Sequence, residues 1–213
     1  MIKPLVRNAS RAVQVAAHRL LWARTVAAIA AQDRAVPLLV ALDGDVADLP
    51  EGAWRQGRRV RVVAQRCAGF AERLEAALAE VAGLGVERVV VVGTDTPGLD
   101  GAGLRRAVIA PGPVCGPAPD GGVYLFALDL RDTGRLRGVP WQTDRVAETL
   151  RDRLPGARWL AALADLDRPV AAEVLWRLLR RDPPPVAPLG RQPVDRRRLH
   201  HRLVHVEANA PPA

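Results

Sequence analysis

The chain of 213 residues is 49% hydrophobic and 25% charged, which is enough for one sizeable domain with a buried core and excludes a disordered or fibrous protein. A formal charge of +8 invites a polyanionic partner, but Lys3 is the only lysine, the arginines are scattered and aromatics are only 4%, so no specific nucleic-acid surface is expected. No run approaches the ~18 apolar residues of a membrane span, the opening "MIKPLVRNASR" lacks a signal-peptide core, and Cys67 and Cys115 have no metal-ligand spacing, so a cytoplasmic chain without disulfides is expected.

In chain order, "SRAVQVAAHRLLWARTVAAIAAQ" carries apolar residues at helical spacing behind Ser10 as N-cap. Pro37 to Leu42 is a short apolar run closed by a turn signal, and "RRVRVVA" follows as a second strand. Phe70, Leu74, Ala77, Leu78 and Val81 mark one face of a helix that Gly83 and Gly85 stop. "ERVVVVG" is the next strand, and Asp100 can cap a short helix to Ala107. "PVCG" and "VYLFALDL" read as strands around the turn-rich "PAPDGG". "TDRVAETLRDRL" is an amphipathic helix with Thr143 or Asp144 as cap, "RWLAALADLD" a last strand, and "PVAAEVLWRLLRR" a closing helix with Pro169 in its first turn. Strands separated by helices predict a largely parallel sheet covered on both faces. From residue 182 onward the composition turns to proline and arginine, which predicts a mobile tail. His201 and His205 would share a face if that tail were helical, but with no acidic or cysteine partner they read as part of a solvated basic run, and no chemistry is assigned to them.

Ligands of an open parallel sheet bind beyond the carboxyl ends of its strands. Asp95, in "VVVVGTDTPGL", stands just past such an end, and the small residues Gly93 and Thr94 would let a ligand approach. Asp120 sits in "GPAPDGG", and Asp165 and Asp167 follow the apolar run in "ALADLDRP". Each acid alone reads most simply as a turn former. Together, carboxylates converging from several strand ends would make an oxygen-rich site for Mg²⁺ or Mn²⁺, which neutralises a diphosphate and stabilises a leaving group.

The ordered motifs "GTDTPGL", "GPAPDGGVYLFAL", "GVPWQTDRVAETL" and "LADLDRP" resemble a family of transferases with the glycosyltransferase-A fold, the radical-SAM/selenodomain-associated type. That family is related to the guanylyltransferases of phospholactate and molybdenum-cofactor pathways. The resemblance runs from about Val15 to Leu175. It implies a three-layer α/β/α, Rossmann-like nucleotide-diphospho-sugar transferase domain over residues 1–181, with the tail over 182–213. It also implies a nucleotide-linked donor and a small-molecule acceptor, with a glycosyl or nucleotidyl group moving between them. On the matching positions, Asp95 would bind the divalent metal, with Asp167 and Asp165 of the late "D-x-D" element completing the site. Asp120, with Gly121 and Gly122, matches the segment lining the acceptor side, and Asp120 is the candidate for catalysis. Trp141 and Thr143 match a "W-S-T" element in which Gln142 replaces the serine. In "QRCAGFAERL", Gln65, Glu72 and Arg73 match, while Gly69 and Ala71 stand where an acid and a glycine belong. Arg73 is either a phosphate or base contact or a solvated helix charge.

One element of the family pattern has no match near the start. Such chains begin with a strand and a loop of the type "K-x-P-x-P-G-x-V-K-T-R-L", which wraps phosphates with backbone N–H groups. "MIKPLVRNASR" has no Pro-Gly turn and no second lysine, so the first strand is expected to be shortened or missing. Three readings stand open: a true start further upstream, a shortened strand at Ile2 to Val6 with an altered loop, or a degenerate, non-catalytic member that serves as a binding or regulatory partner.

Overall fold

The computed structural model describes residues 5–43, 59–66, 69–166, 170, 172–180 and 202–209. In chain order the elements are α1 (Arg11–Ala30), β1 (Leu38–Asp43), β2 (Val60–Ala64), α2 (Phe70–Ala82), β3 (Arg88–Gly93), α3 (Gly101–Ile109), β4 (Val114–Pro117) and β5 (Val123–Asp129). A 3₁₀ segment (Leu130–Leu136), α4 (Val146–Arg153), β6 (Arg158–Trp159), α5 (Ala172–Arg180) and β7 (Arg202–Asn209) complete them. The strands form one 7-stranded sheet in the order β2-β1-β7-β3-β5-β4-β6. β5 runs antiparallel to both its neighbours, and every other pairing is parallel.

Alternation along the strands builds three layers. Leu38, Val40, Leu42, Val90 and Val92 face one core with Ile29 of α1 and Leu104 and Val108 of α3. Leu39, Ala41, Val89, Val91, Phe126 and Leu128 face the other, with Leu74, Leu78 and Val81 of α2 and Leu150 of α4. Because both faces are covered, β1 and β3 carry unbroken hydrocarbon rather than an alternating pattern. Full burial of each such side chain contributes about 1.5–3 kcal/mol. Two helix starts carry side-chain caps: the Ser10 side chain accepts from Val13 N–H, and the Asp100 carboxylate accepts from Gly103 N–H at 2.6 Å. At the amino end of β3 the buried Arg88 guanidinium is held by Asp129 at 3.2 Å and by the Gly112 carbonyl at 2.7 Å.

The expected mobile tail does not hold over Arg202–Asn209. These residues form β7, the third strand of the sheet, parallel to β1 on one side and to β3 on the other. The interior place expected to be short or vacant at the start of the chain is therefore filled from its far end. Leu5 and Val6 do not enter the sheet. They are buried against α1 and α5, with Val6 in a single parallel bridge to Val170, and the Gln14 side chain clamps them by accepting from both N–H groups and donating to the Val6 carbonyl. Two smaller expectations also change. Neither Thr143 nor Asp144 caps α4, whose N-cap is Arg145 without a side-chain bond. Of the described residues of "RWLAALADLD", only Arg158–Trp159 are regular strand, although Leu160 and Leu163 still donate to the carbonyls of Cys115 and Pro117. Pro169 and His201 lie outside the described residues, and His205 sits on β7 in register with Leu39 and Val91, so the helical histidine pair is not formed.

Candidate functional site

A cleft of about 720 Å³ opens at the carboxyl rim of β3, flanked by the turn from β4 to β5, the start of α2 and the segment before α4. Asp95 lines it. β3 carries the backbone to Gly93, where a Cβ would stand 2.9 Å from the Asp95 Oδ1, so the glycine leaves the space into which that carboxylate folds. The carbonyl of Asp95 accepts from Leu166 N–H at 3.0 Å. That bond joins the rim of β3 to the stretch bearing Asp165, and Asp165 lines the same cleft with Thr94 and Gly93. Asp167 lies outside the described residues.

Across the cleft, residues 118 to 122 make a closed turn. Ala118 N–H donates to Gly122 C=O at 3.0 Å, Gly121 N–H to Ala118 C=O, and Gly122 N–H to the Asp120 Oδ1 at 3.0 Å. Gly121 has φ of 91°, and a Cβ there would lie 1.9 Å from the Asp144 carbonyl oxygen. Its own carbonyl accepts from Ala147 N–H at 2.8 Å, which locks the turn to the first residues of α4. Only glycine fits a backbone that is both left-handed and pressed against another chain segment. Asp120 and Gly122 line the cleft, and Gly121 supports them from behind.

Trp141 forms part of the wall. Its ring is tilted against Phe70 and against Phe126, with centroids 5.6 Å away in each case. Thr143 donates its hydroxyl to the Pro140 carbonyl at 2.7 Å and accepts from Arg145 N–H, so it braces the bend that carries Trp141. Gln142, between them, adopts a left-handed φ of 64°. Arg73 and Gln65 line the side formed by α2 and the end of β2. Glu72 has a local role instead, accepting from Gly69 N–H at the start of α2.

Sequence reasoning passed over Tyr124, Phe70 and Phe126, which read as core. Tyr124 is buried yet lines the cleft, and its hydroxyl donates to the Ala161 carbonyl at 3.2 Å, a further tie between β5 and the stretch bearing Asp165. Burial, together with the charge of Asp100, pushes the Tyr124 phenol up to about 12. Burial likewise pushes the Cys115 thiol up to about 12, so it is a packing residue rather than a nucleophile. The signal that could have flagged Tyr124 is a hydroxyl in an otherwise apolar strand, which must find a partner when buried.

No cage of three or more His, Cys, Asp or Glu side chains is present among the described residues. Four aspartates, Asp95, Asp120, Asp144 and Asp165, line the cleft, and a hard cation such as Mg²⁺ asks for only one or two protein carboxylates, the rest of its shell being water and substrate phosphate.

Comparison with known proteins agrees with this architecture. The family model described as "Uncharacterized protein conserved in bacteria (DUF2064)" matches residues 25–143. A solved structure from Desulfovibrio desulfuricans G20, described as a "putative nucleotide-diphospho-sugar transferase", superposes with a TM-score of 0.57 at 24% identity, covering 74% of this chain and 71% of that one. At that identity the likeness speaks to fold. No curated protein matches the chain. No described helix is long and apolar enough to cross a membrane.

Proposed function

This chain belongs to that uncharacterised bacterial family and has the nucleotide-diphospho-sugar transferase fold, and from this premise we propose that it is a metal-dependent transferase of the cytoplasm. It moves a glycosyl or nucleotidyl group from a nucleotide-linked donor to a small-molecule acceptor, as expected of the radical-SAM/selenodomain-associated type. The observation that carries the reading is the convergence of Asp95 and Asp165, distant in sequence, on one cleft, with Leu166 bonded to the backbone of Asp95.

Asp95 and Asp165, with Asp167 as a third candidate, would hold Mg²⁺ or Mn²⁺. When bound, the ion supplies Lewis-acid stabilisation of the charge that develops on the diphosphate leaving group. Gly93 and Thr94 let the donor approach the end of β3. Arg73, on the first turns of α2, offers a guanidinium to a phosphate oxygen or a base edge. On the opposite side, the turn Asp120–Gly122 shapes the acceptor pocket. The Asp120 Oδ1 is engaged by Gly122 N–H, so Oδ2 is the atom that would take a proton from an acceptor hydroxyl. Trp141 gives the acceptor a rigid face, and Thr143 holds that face in place. Displacement by positioning and charge neutralisation requires no covalent intermediate.

Calorimetry of the full chain with GTP, CTP and UDP-glucose, with and without Mn²⁺, tests the reading. Metal-dependent binding of at least one donor is expected. Absence of any metal-dependent binding overturns it and favours the alternative of a non-catalytic binding or regulatory partner.

A further inference from the structure

A surface helix ordinarily turns an apolar stripe to the core and charged residues to water. α1 departs from this on its outer side. Ala28 and Ile29 of α1 join the sheet core, and Ala17 and Leu21 pack with Leu175 of α5. Of the nine residues of α1 that stay exposed, only Arg11 and Arg19 are charged. Six of the others, Val13, Ala16, Leu20, Ala23, Ala27 and Ala30, are spaced alternately by three and four, the heptad seam by which helices pack on one another. The large apolar side chains that stand exposed among the described residues are Val13 and Leu20 on this seam, with Val174 and Trp176 on the neighbouring α5. A helix apolar on both sides is one covered on both sides, and no described helix is long and apolar enough to cross a membrane.

The order of sizes along the seam identifies the cover. When α1 is laid antiparallel on a copy of itself, with the axis midway between Leu20 and Ala23, Val13 faces the partner's Ala30, Ala16 the partner's Ala27 and Leu20 the partner's Ala23. Every residue of the seam meets another of the seam, and each larger side chain meets an alanine, so the two surfaces interdigitate without a void. Self-complementarity of one patch is what an isologous two-fold dimer requires. We propose that this face of α1, flanked by α5, is an interface between two copies of this chain. The 20 residues of α1 make a seam ~30 Å long and about 10 Å wide, on the order of 300 Å² per copy, and the 9 residues of α5 add roughly 140 Å² by the same measure. That is below the ~800 Å² per partner of a standard interface, so the dimer is a weak one that forms in the micromolar range. The charge of +8 on each copy opposes association, as does Arg19, which faces the partner's Arg24, so salt that screens like charges strengthens the dimer.

Sedimentation equilibrium of the full chain, from about 1 μM to about 1 mM, tests the proposal. A monomer–dimer equilibrium is expected, with dimerisation favoured at least threefold when salt is raised from ~50 mM to ~500 mM. A monomer at every concentration overturns the proposal and leaves a different protein, or another segment of this chain, as the cover of the face. Association that weakens with salt overturns it too, because that is the behaviour of a basic chain on a polyanion. Three variants read the pairing. Ala23→Lys is expected to weaken the dimer tenfold or more, and Leu20→Ala by a similar factor. The exchange of Leu20→Ala with Ala23→Leu in one chain is expected to return to within threefold of wild type, since each leucine again meets an alanine. Wild-type affinity in Ala23→Lys, or an exchange variant no tighter than Leu20→Ala, overturns the pairing. Both positions are exposed, so thermal unfolding of the dilute monomers is expected to match wild type. Should Ala23→Lys fail to fold, the exchange variant, which keeps the helix apolar, still decides.

Discussion

Substituting Val206 by proline tests the most consequential feature of the fold. Val206 sits in register with Val40 of β1 and Val92 of β3, both fully or almost fully buried, so it lies in a strand bonded on both sides and far from any edge. Proline has no N–H to give the ladder and belongs only at sheet edges, strand starts or bulges. The lost ladder bond costs about 0.5–1.5 kcal/mol net, and the carbonyl left unpaired in the interior about 1–3 kcal/mol more. The damage is concentrated at a seam. β7 is the strand that joins β1 and β2 to the rest of the sheet, and a two-stranded unit separated from it is marginal in water. A loss of about 2–4 kcal/mol corresponds to a fall in Tm of roughly 5–15 °C for a chain of this size. Thermal unfolding followed by far-UV circular dichroism reads it directly. If Val206→Pro shifts Tm by less than about 1 °C, as a surface substitution would, the strand is not part of the folded sheet.

Four other outcomes follow from the same geometry. Asp95→Asn should weaken Mn²⁺-dependent donor binding by roughly 10–100-fold or more with Tm unchanged, measured by calorimetry and thermal unfolding on the same sample. Gly93→Ala places a methyl 2.9 Å from the Asp95 Oδ1 and should displace the carboxylate, giving a folded protein with weakened Mn²⁺ affinity. Gly121→Ala combines left-handed strain of about 1–3 kcal/mol with a collision against the Asp144 carbonyl, so its Tm should fall by roughly 5 °C or more. Finally, Cys115 and Tyr124 both have folded pKa values raised to about 12. Between the unfolded values, near 9 and 10, and about 12, the unfolded chain holds fewer protons than the native one, so stability is full below about pH 9 and is lost as pH rises through that window. Denaturant midpoints from pH 8 to 11 should fall, and Cys115→Ala should flatten the fall; an unchanged slope in the variant refutes the assignment.

The parts legible in the sequence were those whose signal is local. β1 and β3 are hydrocarbon runs closed by turn residues, α2 shows its apolar face at helical spacing, and Ser10 and Asp100 cap as their chemistry dictates. Asp95 and Asp165 could be singled out because each follows an apolar run, and Asp120 because it stands in the turn-rich "GPAPDGG" segment; all three line the cleft. Over Arg202–Asn209 the tail reading missed a strand because composition was averaged over a long proline- and arginine-rich segment. Within it, "RLVHVEAN" has β-branched Val204 and Val206 alternating with His205 and Glu207, a strand pattern visible only at short range. Of the aromatic wall only Trp141 was singled out, and Phe70 and Phe126 stayed hidden for a different reason. Phe70 comes from α2, Phe126 from β5 and Trp141 from the segment before α4, and whether such rings fill a core or edge a cleft depends on tertiary placement.

The position of Asp95 shows how the two ends of this problem meet. β5 pairs with β3 only as far as Val92, in register with Leu125, whereas β7 continues to Gly93, in register with Glu207. The last sheet residue before Thr94 and Asp95 is thus held from the β7 side alone. Beyond it, the Asp95 carbonyl is tied to Leu166 N–H. The backbone that aims the candidate cation ligand is therefore fixed between two late parts of the chain, while the strand that carries it lies near the middle. Contacts so distant in sequence cost loop-closure entropy before they reward it. The rim consequently forms only when the whole sheet does, and a local motif such as "GTDTPGL" can mark the site without being able to build it.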